Sequence, residues 1–313
     1  MGHTGGRRAM STTAVLFPGQ GEQRPGMLHE LPPEGDAVLA AAADALGEDP
    51  LLLDAPDVLH GTRATQLALL IAGVSWYRAA VARGLAVSYL GGHSIGHWAA
   101  AVSADALDLP DALRLVALRG EAMRAASPTG SGMTAVLGLR EEAVERVAAS
   151  ARDAGLLAWS SNVNADWQVA VSGTEPGLDR VSELARAAGA QRVVRLAVEV
   201  PAHSPLMAPA AERLHRALDG IEVRRPSLPL VGNLTGQTLF TADALRRELW
   251  LGIERPVRWR DGTRVLAERG VTRWLQVPPG RSLERLASAL PDARALAVDD
   301  VGLDEAVARL ARS

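Results

Sequence analysis

The stretch from Ala86 to Ser103, AVSYLGGHSIGHWAAAVS, places a serine between two glycines where a β-prone run meets a helical one. A strand that turns directly into a helix at G-x-S-x-G leaves the chain little freedom. The central residue is forced into a strained, exposed conformation, the arrangement called a nucleophile elbow. Gly92 and Gly96 suit this turn because a Cβ at either position would clash where strand and helix pass. The helix starting behind Ser94 offers unpaired N–H groups, so the N–H of Ile95 is able to donate to an oxyanion. The competing reading is a glycine-rich turn with an ordinary N-cap serine, and the strand-turn-helix context weighs against it.

The rest of the chain repeats the alternation. A run at Ala14–Phe17 meets Pro18-Gly19-Gln20-Gly21, the pattern of a buried strand ending in a tight loop, and helical periodicity follows in DAVLAAAADALG, TQLALLIAGVSWYRAAVARG and LPDALRLVALRGEAMRAA. Strands alternating with helices predict an α/β fold with a parallel sheet, here a large α/β-hydrolase-like domain. From about Gly132 the order becomes β-α-β-β-α-β through MTAVLGL, REEAVERVAASARDAG, LLAWSSNVN, WQVAVSG, GLDRVSELARAAGA and QRVVRLAV. That order is a ferredoxin-like α+β unit. The expected organisation is a large domain from 12–130 and 200–313, interrupted by a small inserted subdomain at 131–199. In the last third, LPLVGNLTG reads as a strand leading into a glycine turn, RWLQVPPG as a buried strand ending in a turn, and DALRRELWLGI, DGTRVLAERG and SLERLASAL as helices.

Composition removes several chemistries. The chain has 313 residues, no cysteine and, by inspection, no lysine. Disulfides, thiolate metal sites, thiol nucleophiles, Schiff-base chemistry and a P-loop are therefore excluded. A formal net charge of -3 with interleaved signs offers neither a basic face for nucleic acid nor a polybasic block for a membrane. The most apolar segment is broken by Arg78 and is too short to span a bilayer. The first ten or so residues read as a frayed leader without the apolar run of a signal peptide, so a cytoplasmic protein is expected.

A serine hydroxyl needs a base, most often histidine. Of seven histidines, His3 lies in the leader, and His29, His60 and His215 lie in loops or on polar helix faces. His93 and His97 adjoin the serine but are expected to point elsewhere on a tight turn. His203, in the proline-flanked VPAHSPLM where the insert returns to the large domain, is the candidate base, at the cleft between domains. No carboxylate stands in a suitable loop; Asp261 reads as an ordinary N-cap. A Ser-His dyad with a backbone carbonyl orienting the histidine is therefore expected rather than a triad.

Eight motifs in order, FPGQG, TQLALL, GHSIG, LRG, NVNADWQVAVSG, VPAHSPLM, GNLTG and RPVRW, give the chain a resemblance to the malonyl-CoA:acyl carrier protein transacylases over nearly its whole length. LFPGQGEQRPGMLHELP, LDAPDVLHGTRATQLALLIAGV and VPPG look closer still to the malonyl-transferase (epsilon) subunit of malonate decarboxylase. The resemblance implies Ser94 as the acylated nucleophile, His203 as general base, and the N–H groups of Gln20 and Ile95 as the oxyanion hole. It implies that Arg119 clamps the free carboxylate of a malonyl group, a task suited to a guanidinium fork. From the residues alone Arg119 reads more readily as a surface arginine on an amphipathic helix. Gln66, Asn164 and Gln168 match positions lining the family's site, and each also reads as a structural amide. The position whose carbonyl orients the histidine is Gly252 here, where the family commonly has glutamine or asparagine. His97 replaces the family's usual glutamate, and Val277-Pro278-Pro279-Gly280 replaces Gly-Pro-Gly.

The expected function is transfer of a malonyl group from malonyl-CoA to an acyl carrier protein thiol, without metal or organic cofactor. The decarboxylase subunit, working beside that complex's other subunits, is the main expectation, and a free-standing transacylase of fatty acid or polyketide synthesis is the alternative. A serine hydrolase passing the acyl group to water is the rival from another reaction class, and a non-catalytic scaffold subunit is the remaining one.

Overall fold

A computed structural model describes residues 12–312; the leader and His3 lie outside them. Strand β1 (Thr12–Phe17) is buried on both faces from Thr13 onward, as its unbroken apolar run requires. Helices α1 (Asp36–Leu46) and α2 (Thr62–Ala82) follow, then β2 (Tyr89–Gly92), α3 (Gly96–Ser103) and α4 (Leu109–Ala126). The chain next builds β3 (Ser131–Leu137), α5 (Glu141–Asp153), β4 (Ala158–Ala165), β5 (Gln168–Thr174), α6 (Glu175–Ala187) and β6 (Arg192–Arg195). It returns through α7 (Ala208–Leu218), β7 (Leu230–Val231), β8 (Thr238–Leu239), α8 (Ala242–Leu251), α9 (Trp259–Glu268), β9 (Val271–Gln276), α10 (Ser282–Ala287), β10 (Arg294–Ala297), α11 (Val298–Val301) and α12 (Leu303–Ala311).

The large sheet runs β10-β9-β1-β2-β7-β8, and every pairing in it is parallel except β7 with β8. Its central strand β1 ends at the loop carrying Gly19 and Gln20, and its neighbour β2 ends at Ser94's turn. Both loops thus emerge at the carboxyl edge of adjacent parallel strands, where α/β proteins place their sites. The small sheet is wholly antiparallel in the order β4-β5-β3-β6, the ferredoxin-like arrangement, with α5 and α6 covering one face over their own apolar core.

Main-chain hydrogen bonds join the two units. Val163 donates to the carbonyl of Val257 at 2.8 Å and Val257 to that of Ser161 at 2.8 Å, so β4 adds a short parallel bridge just before α9. Beside it Arg258 and Arg260 both bond Glu141, and Arg264 bonds Asp166 at 2.6 Å. Asp261, expected as an N-cap, sits inside the first turn of α9 and takes bonds from Arg258 and Arg260.

The strand expected to lead into the glycine turn of LPLVGNLTG is short, Leu230–Val231, because Asn233 and Leu234 turn their N–H groups to a side chain instead of a neighbouring strand. Edge strand β10 and helix α12 were not anticipated. Among the described residues no helix is long and apolar enough to cross a membrane.

Candidate active site

The turn after β2 is held on three sides. His93 donates its N–H to the carbonyl of Phe17 at 3.0 Å, Gly96 donates to His93 at 3.0 Å, and Ser94 donates to Oδ1 of Asn233 at 2.9 Å. A Cβ on Gly92 would strike the backbone of Gly96, and one on Gly96 the carbonyl of Phe17. Only glycine lets α3 begin this close to β1. Ser94 itself has φ 53°, the left-handed region a serine enters only under such constraint.

His203 has φ 59°, and its N–H donates to the carbonyl of Ile253 at 2.7 Å. Its ring bridges two partners, with Nε2 at 2.7 Å from Ser94 Oγ and Nδ1 at 2.6 Å from the carbonyl of Gly252. A carbonyl only accepts, so Nδ1 carries the proton and Nε2 is free to accept the serine's. Burial, then the charge of Arg119, pushes the histidine pKa down to about 3, with the Gly252 bond opposing. The ring is therefore neutral across the physiological range.

Arg119 is 2% exposed, so it is not the surface arginine its helix pattern allowed. Gly120 lets α4 pack against the backbone of Arg63 on α2, where a Cβ would not fit. Its Nη2 lies 3.3 Å from Ser94 Oγ, while Nε and Nη1 are buried with no partner. Burial lowers its pKa to about 9, leaving it cationic at neutral pH. Two buried donors on a cation beside a nucleophile, without partners in the chain, are suited to bonding an anionic group.

A cleft of about 260 Å³ between the two units is lined by Gln20, His93 and Ser94 on one side and Met133, Asn164 and Gln168 on the other. Among the described residues, the N–H groups of Gln20 and Ile95 bond to no other group of the chain, as oxyanion donors should. Gln66 lies behind the cleft, fully buried, and donates to Oε1 of Gln20 at 3.2 Å. His93, expected to point away, lines the cleft and bonds Asn164 Oδ1 at 3.0 Å; burial lowers its pKa. His97 faces a small chamber behind Ser94, shared with Arg119, Asn233 and Glu248. Sequence reasoning missed Asn233 and Glu248; the GNLTG motif pointed at the first but carried no chemistry by itself.

The Acyl transferase domain model matches residues 15–288. The chain belongs to the acyl transferase family. This acyl transferase is 36% identical to the malonyl CoA-acyl carrier protein transacylase of Haemophilus influenzae, covering 95% of this chain and 98% of that one. It is 34% identical to the Bacillus subtilis protein of the same name, over 88% and 90%. Among solved structures it matches a malonyl-transacylase in complex with a type II PKS acyl-carrier protein at TM-score 0.90 and 36% identity, covering 96% of this chain and all of that one. The malonyl CoA-acyl carrier protein transacylase of Coxiella burnetii matches at TM-score 0.91 and 33% identity, over 96% and 98%. The acyl transferase fold thus has the predicted parallel sheet with a small antiparallel sheet beside it.

Proposed function

We propose that this acyl transferase moves a malonyl group from malonyl-CoA to the thiol of an acyl carrier protein, as a free-standing transacylase. The observation that carries the reading is the buried guanidinium of Arg119, with two unpartnered nitrogens, 3.3 Å from the hydroxyl that His203 activates. A malonyl group attached at Ser94 Oγ projects its carboxylate two carbons beyond the carbonyl, within reach of that fork. Acetyl has no such group and leaves the cation unpaired.

In this reading Ser94 Oγ attacks the thioester carbonyl while His203 Nε2 takes the hydroxyl proton. The N–H groups of Gln20 and Ile95 hold the oxyanion, and the carbonyl of Gly252 steadies the imidazolium. Collapse breaks the carbon–sulfur bond, and the proton passes from His203 to the CoA thiolate. The carrier thiol then enters, gives its proton to His203, and leaves acylated as the proton returns to Ser94. Asn164, Gln168 and His93 line the route of the incoming arm, and Gln66 supports Gln20. No metal or organic cofactor takes part in any step.

The relatives named above are transacylases, which favours fatty acid or polyketide supply over the decarboxylase reading. A second reading, as transferase subunit of malonate decarboxylase with its other subunits as partners, rests on Val277-Pro278-Pro279-Gly280. The test is intact-protein mass after brief exposure to malonyl-CoA or acetyl-CoA, for wild type and Ser94→Ala. A malonyl adduct in the wild type alone, with little acetyl adduct, is expected; release of free malonate without an adduct would favour hydrolysis and overturn transfer. Chasing the adduct with a phosphopantetheine carrier or one bearing a dephospho-CoA-derived arm separates the two acceptors.

A further inference from the structure

Helix α8 reaches both members of the Ser94–His203 pair from behind. At its C-terminal end the carbonyls of Gly252 and Ile253 hold the ring and the backbone of His203. One turn earlier, the carboxylate of Glu248 accepts the N–H groups of Asn233 at 2.8 Å and Leu234 at 3.1 Å. Asn233 spans the strained turn, its Oδ1 accepting from Ser94 N–H at 2.9 Å and its Nδ2 donating to the carbonyl of Gly92 at 2.8 Å. These partners fix the amide's orientation, since one only donates and the other only accepts.

We infer that Glu248, acting through Asn233, is a positioning residue that holds the Ser94 turn at hydrogen-bonding distance from His203; the inference rests on Ser94 being the nucleophile. Glu248 is 6% exposed and, among the described residues, has no ion-pair partner. A buried carboxylate without a cation is unfavourable, and packing alone would be served better by an apolar side chain. The local sequence nevertheless makes room for it, because a Cβ on Gly232 would collide with its Oε1. Glu248 and Asn233 lie outside the cleft between the two units and line the small chamber behind Ser94 that also holds Arg119, so a probe of Ser94's own reactivity separates positioning of the turn from an effect on the acyl carboxylate.

The test uses full-length protein and a fluorophosphonate probe, which reports any activated serine without requiring malonyl-CoA, together with malonyl-CoA kinetics and thermal unfolding. Glu248→Leu and Asn233→Ala are expected to slow Ser94 labelling and kcat roughly tenfold or more, at a temperature where both are folded, with KM for malonyl-CoA unchanged. Glu248→Gln should come within about threefold of wild type, because one amide oxygen accepts both N–H groups that now bond Oε2. Lower melting temperatures with unchanged labelling would reduce the pair to a structural role and overturn the proposal. So would Glu248→Gln behaving like Glu248→Leu. If Glu248→Leu fails to fold, Asn233→Ala decides by the same criteria. A wild type that labels at Ser94 but makes no malonyl adduct contradicts the substrate reading alone; one that does not label at Ser94 removes the nucleophile and this proposal together.

Discussion

Ser94 and His203, 109 positions apart, both hold left-handed backbone conformations and meet through a 2.7 Å bond between Oγ and Nε2. Each such conformation costs on the order of 1–3 kcal/mol and persists only where its surroundings over-determine it. For Ser94 those surroundings are Phe17, Asn233 and the close start of α3; for His203 they are the carbonyls of Gly252 and Ile253. The pair is thus set by hydrogen bonds and close packing within the chain before any substrate arrives.

Glycine at the turn is the first consequence to test. Gly96→Ala should destabilise the protein by several kcal/mol, roughly 3 or more, since the added methyl meets backbone and not a movable side chain. Urea unfolding of the purified variant measures it, and a midpoint equal to wild type would contradict the packing described.

Arg119→Met keeps most of the apolar stem and removes the charge. Malonyl transfer should weaken by about 2 to 5 kcal/mol, roughly thirtyfold or more in kcat/KM, with acetyl transfer changed far less. Stability should stay level or rise, because an unpaired buried cation is gone. Parallel loss of both acyl activities would mean that Arg119 does not discriminate them.

The pH–rate profile follows from the charge beside His203. In the free protein burial and Arg119 hold the histidine at about 3, so kcat/KM should show no acid limb near the usual histidine value. A bound carboxylate offsets the Arg119 charge and raises the histidine pKa. The acid limb of kcat for malonyl-CoA should therefore lie at higher pH than that of kcat/KM, and the gap should vanish for acetyl-CoA.

Stability should fall as pH drops from 6.5. His203 at about 3 and His97 at about 4 refuse protons that the unfolded chain accepts, so their contribution is lost as pH falls through that window. Glu248, raised to about 7 mainly by burial, works oppositely: the native state keeps a proton that the unfolded chain gives up near 4.5, so its contribution is lost as pH climbs from 4.5 through 7. Relative to wild type, Glu248→Gln should therefore gain stability over that rise, about 3 kcal/mol at most. Denaturant midpoints across pH 4.5 to 8 check both slopes.

Much of this was legible in the sequence, for identifiable reasons. Periodicity and glycine placement exposed the strand-turn-helix at Ser94 and the β-α-β-β-α-β order, because both are local signals. Edge strand β10 and the shortened β7 were not legible, since pairing partners decide them. At the site, His203 could be picked out by its proline-flanked loop, and Arg119 only through resemblance, because an arginine among others on an amphipathic helix carries no local sign of being buried. Asn233 and Glu248 left no chemical pattern. Their importance comes from hydrogen bonds across 139 and 15 positions.

The bridge between β4 and Val257 bears on how such proteins recombine. Residues 131–199 look like a cassette, yet one of its outer strands is stitched by main-chain bonds to the segment that follows Gly252. A chimera taking this cassette from a relative would bring a foreign strand edge against Val257 and a foreign residue opposite Arg258 and Arg260. The transplantable unit is therefore discontinuous, the cassette together with residues 255–264, and swaps that respect only the apparent boundaries would disturb the carbonyl that orients His203.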